Sequence, residues 1–530
     1  MFPTSLSLLL CLAGILSTVW ATTDQTTETD SRNTYDEGII FRPLPDGKLS
    51  VLFRFHLRAH QAREHHALTP PTLILPLQKN NVSELHLSFA TGRWQHDRWG
   101  LPLHPEVGGT GAEIRTWIRG NQTEEKWTAV TNAMAGIFCS SLGQIDSAIT
   151  SSPTDIFSPL QSDMERATLF HAQLPSETLC TENLTPFLKL LPCKGISGIS
   201  GLMKPYILLA HDWHAMGVDY TSTEDDSETD LVLWWEAVVN LVDWEKDARR
   251  DFSIQSIFDR SLPRACPVGQ SSTIVLTGSD VDLTQLVAGS PSSASGNGFR
   301  MWEYDHRLVD KNLDFRWLNE SRFVPPLHIS PNPITFSRVL TGTGQLEGGI
   351  ETNIRNNGDV SRQVRYVEVL PWWIQPWVHQ LRIEENGHPA DHYIRQRTYI
   401  PAIDRFRPTS LSLGMSVPPG ATVQVHLPFN KAFIRYTEHP PDASRGFDLP
   451  PAILYLQDLV DEGTEASDDH SQLPRLRMYS SKLLLDLATP DFSMPYNVII
   501  MTSTLMALFF GSVFNAITRR FGVVKVEDET

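Results

Sequence analysis

Residues 498–517, VIIMTSTLMALFFGSVFNAI, run for twenty positions without a charge. As a helix at 1.5 Å per residue such a run covers roughly 30 Å, the hydrocarbon thickness of a bilayer. It is apolar all round, which a buried helix of a soluble protein rarely is for this length. It therefore reads as a transmembrane helix. Tyr496 stands at one margin and Arg519 and Arg520 at the other. Basic residues favour the cytoplasmic side, so the chain reads as a single-pass type I membrane protein. Residues 487–497 form a juxtamembrane segment and 518–530 a cytoplasmic tail. A lipid-anchor signal is the rival reading, but such signals end in their hydrophobic stretch, and here a double Arg and an acidic tail follow.

The other end is also apolar. Residues 1–21 carry no charge, Leu6 to Leu16 is too short to span as a mature helix, and Val19 and Ala21 suit a signal-peptidase site. The usual basic start is missing. Residues 1–21 read as a secretory signal, and the bulk of the chain as lumenal or extracellular. Four Asn-x-Ser/Thr sequons, at Asn81, Asn121, Asn183 and Asn319, fit that compartment. The net charge of −17 falls almost entirely between the two apolar ends. A surface so acidic repels phosphate backbones, which argues against a nucleic-acid partner.

Between the ends the chain reads as mainly β with a few helices. VLFRFHL (51–57), ELHLSF (84–89) and EIRTWI (113–118) alternate as strands do. Residues 124–140 suggest a helix: Thr123 as N-cap, Glu124 and Glu125 at the positive end of the dipole, and Trp127, Val130, Met134 and Ile137 at helical spacing. GISGISG (195–201) reads as a flexible loop. The acidic runs at 223–230 and 461–469 read as solvated insertions, and LVLWWEAVVNLVDW (231–244) as a helix. From about 330 to 486, RQVRYVEVL, HQLRI, TVQVHL and FIRYTE, separated by Pro, Gly and Asn turns, suggest a β-sandwich. The expected organisation is a β-rich region over 22–329, a sandwich over 330–486 and the membrane helix.

Chemistry is harder to find. His56, His60, His65 and His66 crowd one stretch, but one lies in an alternating strand and the rest in a polar run, so no metal site is expected. HDWH (211–214) is equally bland. TGTGQLEGG (341–349) lacks the Lys-Ser/Thr of a phosphate loop and reads as a hairpin turn. GISGISG lacks the spacing of a hydrolase nucleophile elbow, and no cysteine sits in a caspase-type signature. In PWWIQPW (371–377) the three Trp suit a sandwich core better than a sugar-binding surface. No catalytic residue, metal or cofactor is expected. Once the signal takes Cys11, four cysteines remain: Cys139, Cys180, Cys193 and Cys266. They allow three complete internal pairings.

Four stretches carry a resemblance: CTENLTPFLKLLPC (180–193), AGIFCSSLGQID (135–146), ELHLSFATGRW (84–94) and, most specifically, LATPDFSMPYNVI (487–499) running into the span. Together they resemble the PIG-T family, the non-catalytic subunit of the GPI transamidase complex of the endoplasmic reticulum. The likeness runs from about residue 35 to the end of the span and is weakest over 205–330. It implies a scaffold that stabilises a separate caspase-like catalytic subunit while the complex moves proprotein C-termini onto a GPI lipid. The other partners would be further membrane subunits. Direct contact with proprotein or glycolipid is left open. The family's linking cysteine precedes the Thr-Glu-Asn-Leu-Thr motif and maps onto Cys180, which would bond the catalytic subunit. Under that reading Cys193 pairs with Cys266, and Cys139 is a buried free thiol.

Within the span Ser503, Ala507, Gly511 and Asn515 recur every four residues and share one helix face, a candidate packing surface for another span. The alternative functional class is a lumenal carbohydrate-binding or sugar-modifying membrane protein, which would need paired carboxylates in a cleft.

Overall fold

The structure is a computed structural model that describes residues 33–60, 68–159, 167–223, 228–244, 248–277, 286–287, 293–295, 299–303, 313–318, 320–326, 332–440, 442, 445–456, 477–489 and 493–524. The expected signal segment, His65, His66, Asn319, residues 224–227 and the 461–469 acidic run lie outside these residues.

The strand signals of the first region assemble into one eleven-stranded sheet. Its spatial order is Ser293–Ser295, Phe299–Glu303, Ser271–Thr277, Thr34–Pro43, Lys48–His60, Glu228–Asn240, Trp213–Ser222, Val82–Thr91, Gly111–Arg119, Ala167–Leu174 and Thr150–Ser151. Thr34–Pro43 runs parallel to Ser271–Thr277, and its other neighbour is antiparallel. Because side chains alternate across a strand, Leu49, Val51, Phe53, Phe55 and Leu57 all meet one core. Three helices cover that face: Pro71–Lys79, Thr123–Phe138 and Thr181–Leu190. They contribute Leu73, Trp127, Met134, Phe138, Leu184 and Phe187 to the same cluster. Gln122, rather than Thr123, caps the middle helix, and it does so in the left-handed region. The opposite face of the sheet buries a second cluster, with Leu52, Trp94, Trp99, Trp213, Trp234 and Val238.

Two sequence readings are corrected here. The segment expected as a helix after residue 230 is the strand Glu228–Asn240. Leu231, Leu233, Trp235, Ala237 and Val239 enter the main core, while Trp234 and Val238 enter the cluster on the other face. A strand buried on both faces reads as a continuous apolar run, which periodicity cannot tell from a buried helix. The second half of the GISGISG segment is no flexible loop: Ile199 and Ser200 are fully buried, although Ile196 is exposed, and the Ile199 N–H donates to Glu37 Oε1 at 3.0 Å. Gly198 adopts φ +69° with Glu37 and Cys266 pressed against it, which is why a glycine stands there.

Beyond residue 332 the chain forms two facing sheets. One contains Ile334–Thr341, Glu347–Asn356, Thr422–Lys431, Arg382–Glu385 and His388–Pro389. The other contains Ile394–Ile400, Thr409–Val417, Arg362–Leu370, Ile453–Leu456 and Arg477–Tyr479. Ile350, Ile354, Val423 and Val425 from the first meet Val364, Tyr366, Leu411 and Leu413 from the second. Residues 342–346 form the turn of a hairpin. Trp372 and Trp373 are buried in this core, and Trp377 is half-buried. The sandwich seats on the non-helical face of the first sheet, where Val367 and Ile453 join Trp117, Phe157 and Leu169, and Arg365 pairs with Asp155 at 3.1 Å. The chain ends in the helix Ser493–Thr518, of which Tyr496–Thr518 is long and apolar enough to cross a membrane.

Candidate functional site

The cysteines sit beside the helical face of the large sheet. Cys193 and Cys266 are joined, with Cα atoms 6.0 Å apart, and both lie in the main core. Cys139 and Cys180 are free. Cys139 was expected to be buried; it is exposed, because it closes the Thr123–Phe138 helix in the left-handed region, at φ 51°, beyond the buried stripe. Cys180 is partly exposed and caps the Thr181–Leu190 helix.

Asn183 ties these features together. Its Oδ1 accepts from the Cys180 N–H at 2.9 Å and from the Cys180 thiol at 3.1 Å, and its Nδ2 donates to the Phe138 carbonyl at 2.7 Å. The two free thiols therefore flank one packed junction between helix ends. Asn183 is also a sequon residue, and here the structure differs from the sequence expectation. Its side chain is buried and its amide nitrogen donates to the Phe138 carbonyl, a setting unlike that of an exposed sequon. A polar N3 residue reaching back to the N-cap was the signal in the sequence for this capping role. Asn81 and Asn121 are exposed.

A second polar site lies where the sandwich covers the sheet. Strand register lines up His171, Arg115, His86 and Asp219 across four adjacent strands. Both ring nitrogens of His86 face carboxylates at 2.7 Å, Glu84 on one side and Asp219 on the other. A neutral imidazole would turn a lone pair toward one of them, so two ionised carboxylates in these places favour the protonated ring. Burial and Arg115 oppose that charge, but Glu106, Asp219 and Glu84 outweigh them and hold the His86 pKa above its ordinary value. Asp219 also meets His104 at 2.7 Å, and although burial opposes its charge, His104 and His86 bring its pKa to about 2. Glu106 accepts from Arg115 and from Arg477 of the sandwich. Against its burial, the two guanidiniums hold its carboxyl well below the usual range. Glu113 meets His171 and the Tyr479 hydroxyl, each at 3.1 Å. These groups were missed in the sequence because they lie far apart in it, each as a single polar residue in an apolar strand. They are buried and paired with one another, and Glu106 with Arg477 and Glu113 with Tyr479 link the two regions.

The remaining expected residues are unremarkable in place. His56 bonds Asp230. Among the described residues no cluster of three or more His, Cys, Asp or Glu is arranged to hold a metal ion. Ser503, Ala507, Gly511 and Asn515 all face outward on the C-terminal helix, and nothing lies within 4 Å of where a Gly511 Cβ would stand.

The sequence matches the Gpi16 family, described as "Gpi16 subunit, GPI transamidase component", over residues 17–252 and 244–530. It is 30% identical to the GPI-anchor transamidase component PIGT of Homo sapiens, over 93% of this chain and 91% of that one. It is 29% identical to the GPI transamidase component GPI16 of Saccharomyces cerevisiae, over 93% and 90%. A PIG-T homolog of Schizosaccharomyces pombe shares 31% over 92% and 90%. Likeness to solved structures is slight: the yeast delta-COP-I mu-homology domain gives a TM-score of 0.17 at 9% identity, over 85% of this chain and 94% of that one. With a match that runs through the large sheet, the sandwich and the apolar C-terminal helix, this chain belongs to the Gpi16 family of GPI transamidase components.

Proposed function

We propose that this chain is the non-catalytic, scaffolding subunit of a GPI transamidase of the endoplasmic reticulum membrane, and that it holds the caspase-like catalytic subunit through a disulfide from Cys180. The observation that carries this reading is the state of the cysteines. Two are closed on each other inside the core, while Cys180 remains a free, partly exposed thiol fixed at a helix start. A bond from it to another chain would make all further contacts intramolecular, at an effective concentration of roughly millimolar or more. Modest non-covalent surfaces would then suffice. The buried acid–base groups support a scaffold too, since His86 and Asp219 are occupied in pairing the strands of the large sheet and Glu106 in joining that sheet to the sandwich. In this reading the region before the span is lumenal and residues 518–530 are cytoplasmic. The outward stripe of Ser503, Ala507, Gly511 and Asn515 is the face for a partner span, and Gly511→Leu should loosen the purified complex.

The test is disulfide mapping by mass spectrometry on the complex extracted with thiols blocked. A Cys180 peptide joined to the catalytic subunit is expected. Cys180→Ser should abolish the linked species on a non-reducing gel, and Cys139→Ser should leave it unchanged. Loss of the link in Cys139→Ser alone would move the assignment to Cys139, and no cross-chain peptide at all would end it.

A further inference from the structure

The sandwich has two ends, and strand register distinguishes them. Glu347 pairs with Asn430, and Arg355 with Thr422. Leu370 pairs with Thr409, and Arg362 with Val417. Ile400 pairs with Ser410. The 342–346 turn, the 371–373 corner, the 401–408 loop and the 432–438 segment therefore gather at one end. Val360 and the 418–421 turn lie at the other.

The first end is the one joined to the apolar helix. Tyr436 lies beside Tyr496, where the membrane-length segment begins. Lys431 Nζ donates to the carbonyls of Gly344 and Asp486, 2.9 Å each, fastening the turn and the pre-helix chain to the end of a sandwich strand. The 401–408 loop is held in turn: Arg405 pairs with Glu438 and lies over the Trp372 ring at 4.5 Å.

This fastened end exposes large apolar side chains. Phe433 is 72% exposed and Phe406 56%, and Ile403, Leu346 and Leu484 are each about half exposed. Beside them Lys431, Arg405 and Glu438 are engaged with protein partners. A soluble face would show the reverse arrangement. They share the end of the sandwich at which the chain leaves for the helix, and the interfacial layer of a bilayer accommodates aromatic rings.

We infer that this end of the sandwich is a membrane-contacting apron, with Phe406, Phe433, Ile403 and Leu346 resting in the headgroup and upper acyl region of the leaflet that the chain's own helix crosses. The occupant is lipid because the surface is continuous with the span. Four turns and loops touching the bilayer would fix the tilt of the whole ectodomain, which one helix and a short linker could not do. The inference rests on the Ser493–Thr518 helix crossing a membrane.

The test places the photoreactive residue p-benzoylphenylalanine singly at Phe406, Phe433, Val360 and Phe510 of the full chain in its complex. The complex is irradiated in native membranes and the adducts are identified by mass spectrometry. Aromatic-for-aromatic exchange at Phe406, Phe433 and Phe510, and replacement of the half-exposed Val360, leaves the fold intact. Phospholipid adducts are expected at 406, 433 and the mid-helix position 510, at least tenfold above those at 360. Adducts at 406 and 433 on another subunit, or none at either position while 510 labels with lipid, would overturn the apron. Failure at 510 as well would overturn the membrane reading beneath it.

Discussion

In the eleven-stranded sheet both faces are covered, by helices on one side and by tryptophans and the sandwich on the other. In the sandwich one sheet rests its outer face on the large sheet through Val367 and Ile453, while the other covers only its partner and turns its outer face to water. Their strands differ accordingly. Thr422–Lys431 alternates buried and half-buried residues almost throughout. Glu228–Asn240 is buried at every position from Leu233 to Val239. The doubly covered sheet must also satisfy the polar groups that it encloses, and it does so with His86, Asp219, Glu84, Glu106 and Arg115. The sandwich core, among the described residues, encloses one ion pair, Arg338 with Glu368, joined by Tyr366. A sheet used as a platform on both sides thus carries a charged seam, whereas a self-contained sandwich needs little more than apolar filling.

The largest expected effect is from the cores. Trp235→Ala, which empties a fully buried site beside Phe53, should cost about 4 kcal/mol, and Leu413→Ala about 3 kcal/mol. If the regions unfold separately, each variant lowers a different calorimetric transition of the purified chain. One shared transition lowered by both would erase the distinction. Next, Glu368→Gln leaves Arg338 charged and buried, and should lower the sandwich transition by about 3 kcal/mol; a loss below 1 kcal/mol would mean that water reaches the pair.

Arg477→Met removes only one of the two cations on Glu106, since Arg115 stays. We expect a loss of about 2 kcal/mol, and, more diagnostic, faster proteolysis at the junction between the regions. Unchanged proteolysis would mean that the apolar contacts at Trp117 and Phe157 hold the junction without the seam.

A smaller effect concerns pH. Burial lowers the His96 pKa to about 4, with Arg93 adding to the shift and Asp97 opposing it. The unfolded chain takes up that proton near 6.5. The neutral ring's contribution is therefore whole above pH 6.5 and is lost as the pH falls toward 4. His96→Asn should flatten the loss of stability over that window by about 1 kcal/mol. An identical slope in both proteins would show that His96 is freely hydrated. Smallest in energy is the glycan pattern: glycopeptide mapping should find sugar at Asn81 and Asn121 and none at Asn183, and a glycan on Asn183 would contradict its place between the helix ends.

Legibility followed the covering of the faces. Strands at 51–57, 84–89 and 113–118 were readable because apolar residues alternate there with polar ones such as Arg54, His86 and Arg115. The Thr123–Phe138 helix was readable because its apolar stripe is one-sided, with Trp127, Val130 and Met134 buried. The sandwich alternates and was also readable. Glu228–Asn240 was misread because burial on both sides removes the period. Cys139 was misjudged because its exposure follows from a left-handed cap that its own side chain does not signal. Asn183 matched a sequon while serving as a cap, and three residues of sequence cannot separate those uses.

Local features settle what a short window can register. An unbroken apolar run long enough for a bilayer, the turn-punctuated strands and the residues shared with the Gpi16 family are all of this kind. They were plain from the chain as written. Which face of a strand is covered, which cysteine closes on which, and how Ser50 comes to hydrogen-bond Glu236 across 186 positions depend on segments that meet only after the backbone has turned back on itself. The charged seam, the free Cys180 and the apolar end of the sandwich beside Tyr496 are of that second kind. Burial and partnership belong to pairs of distant residues, and no stretch of sequence carries them alone.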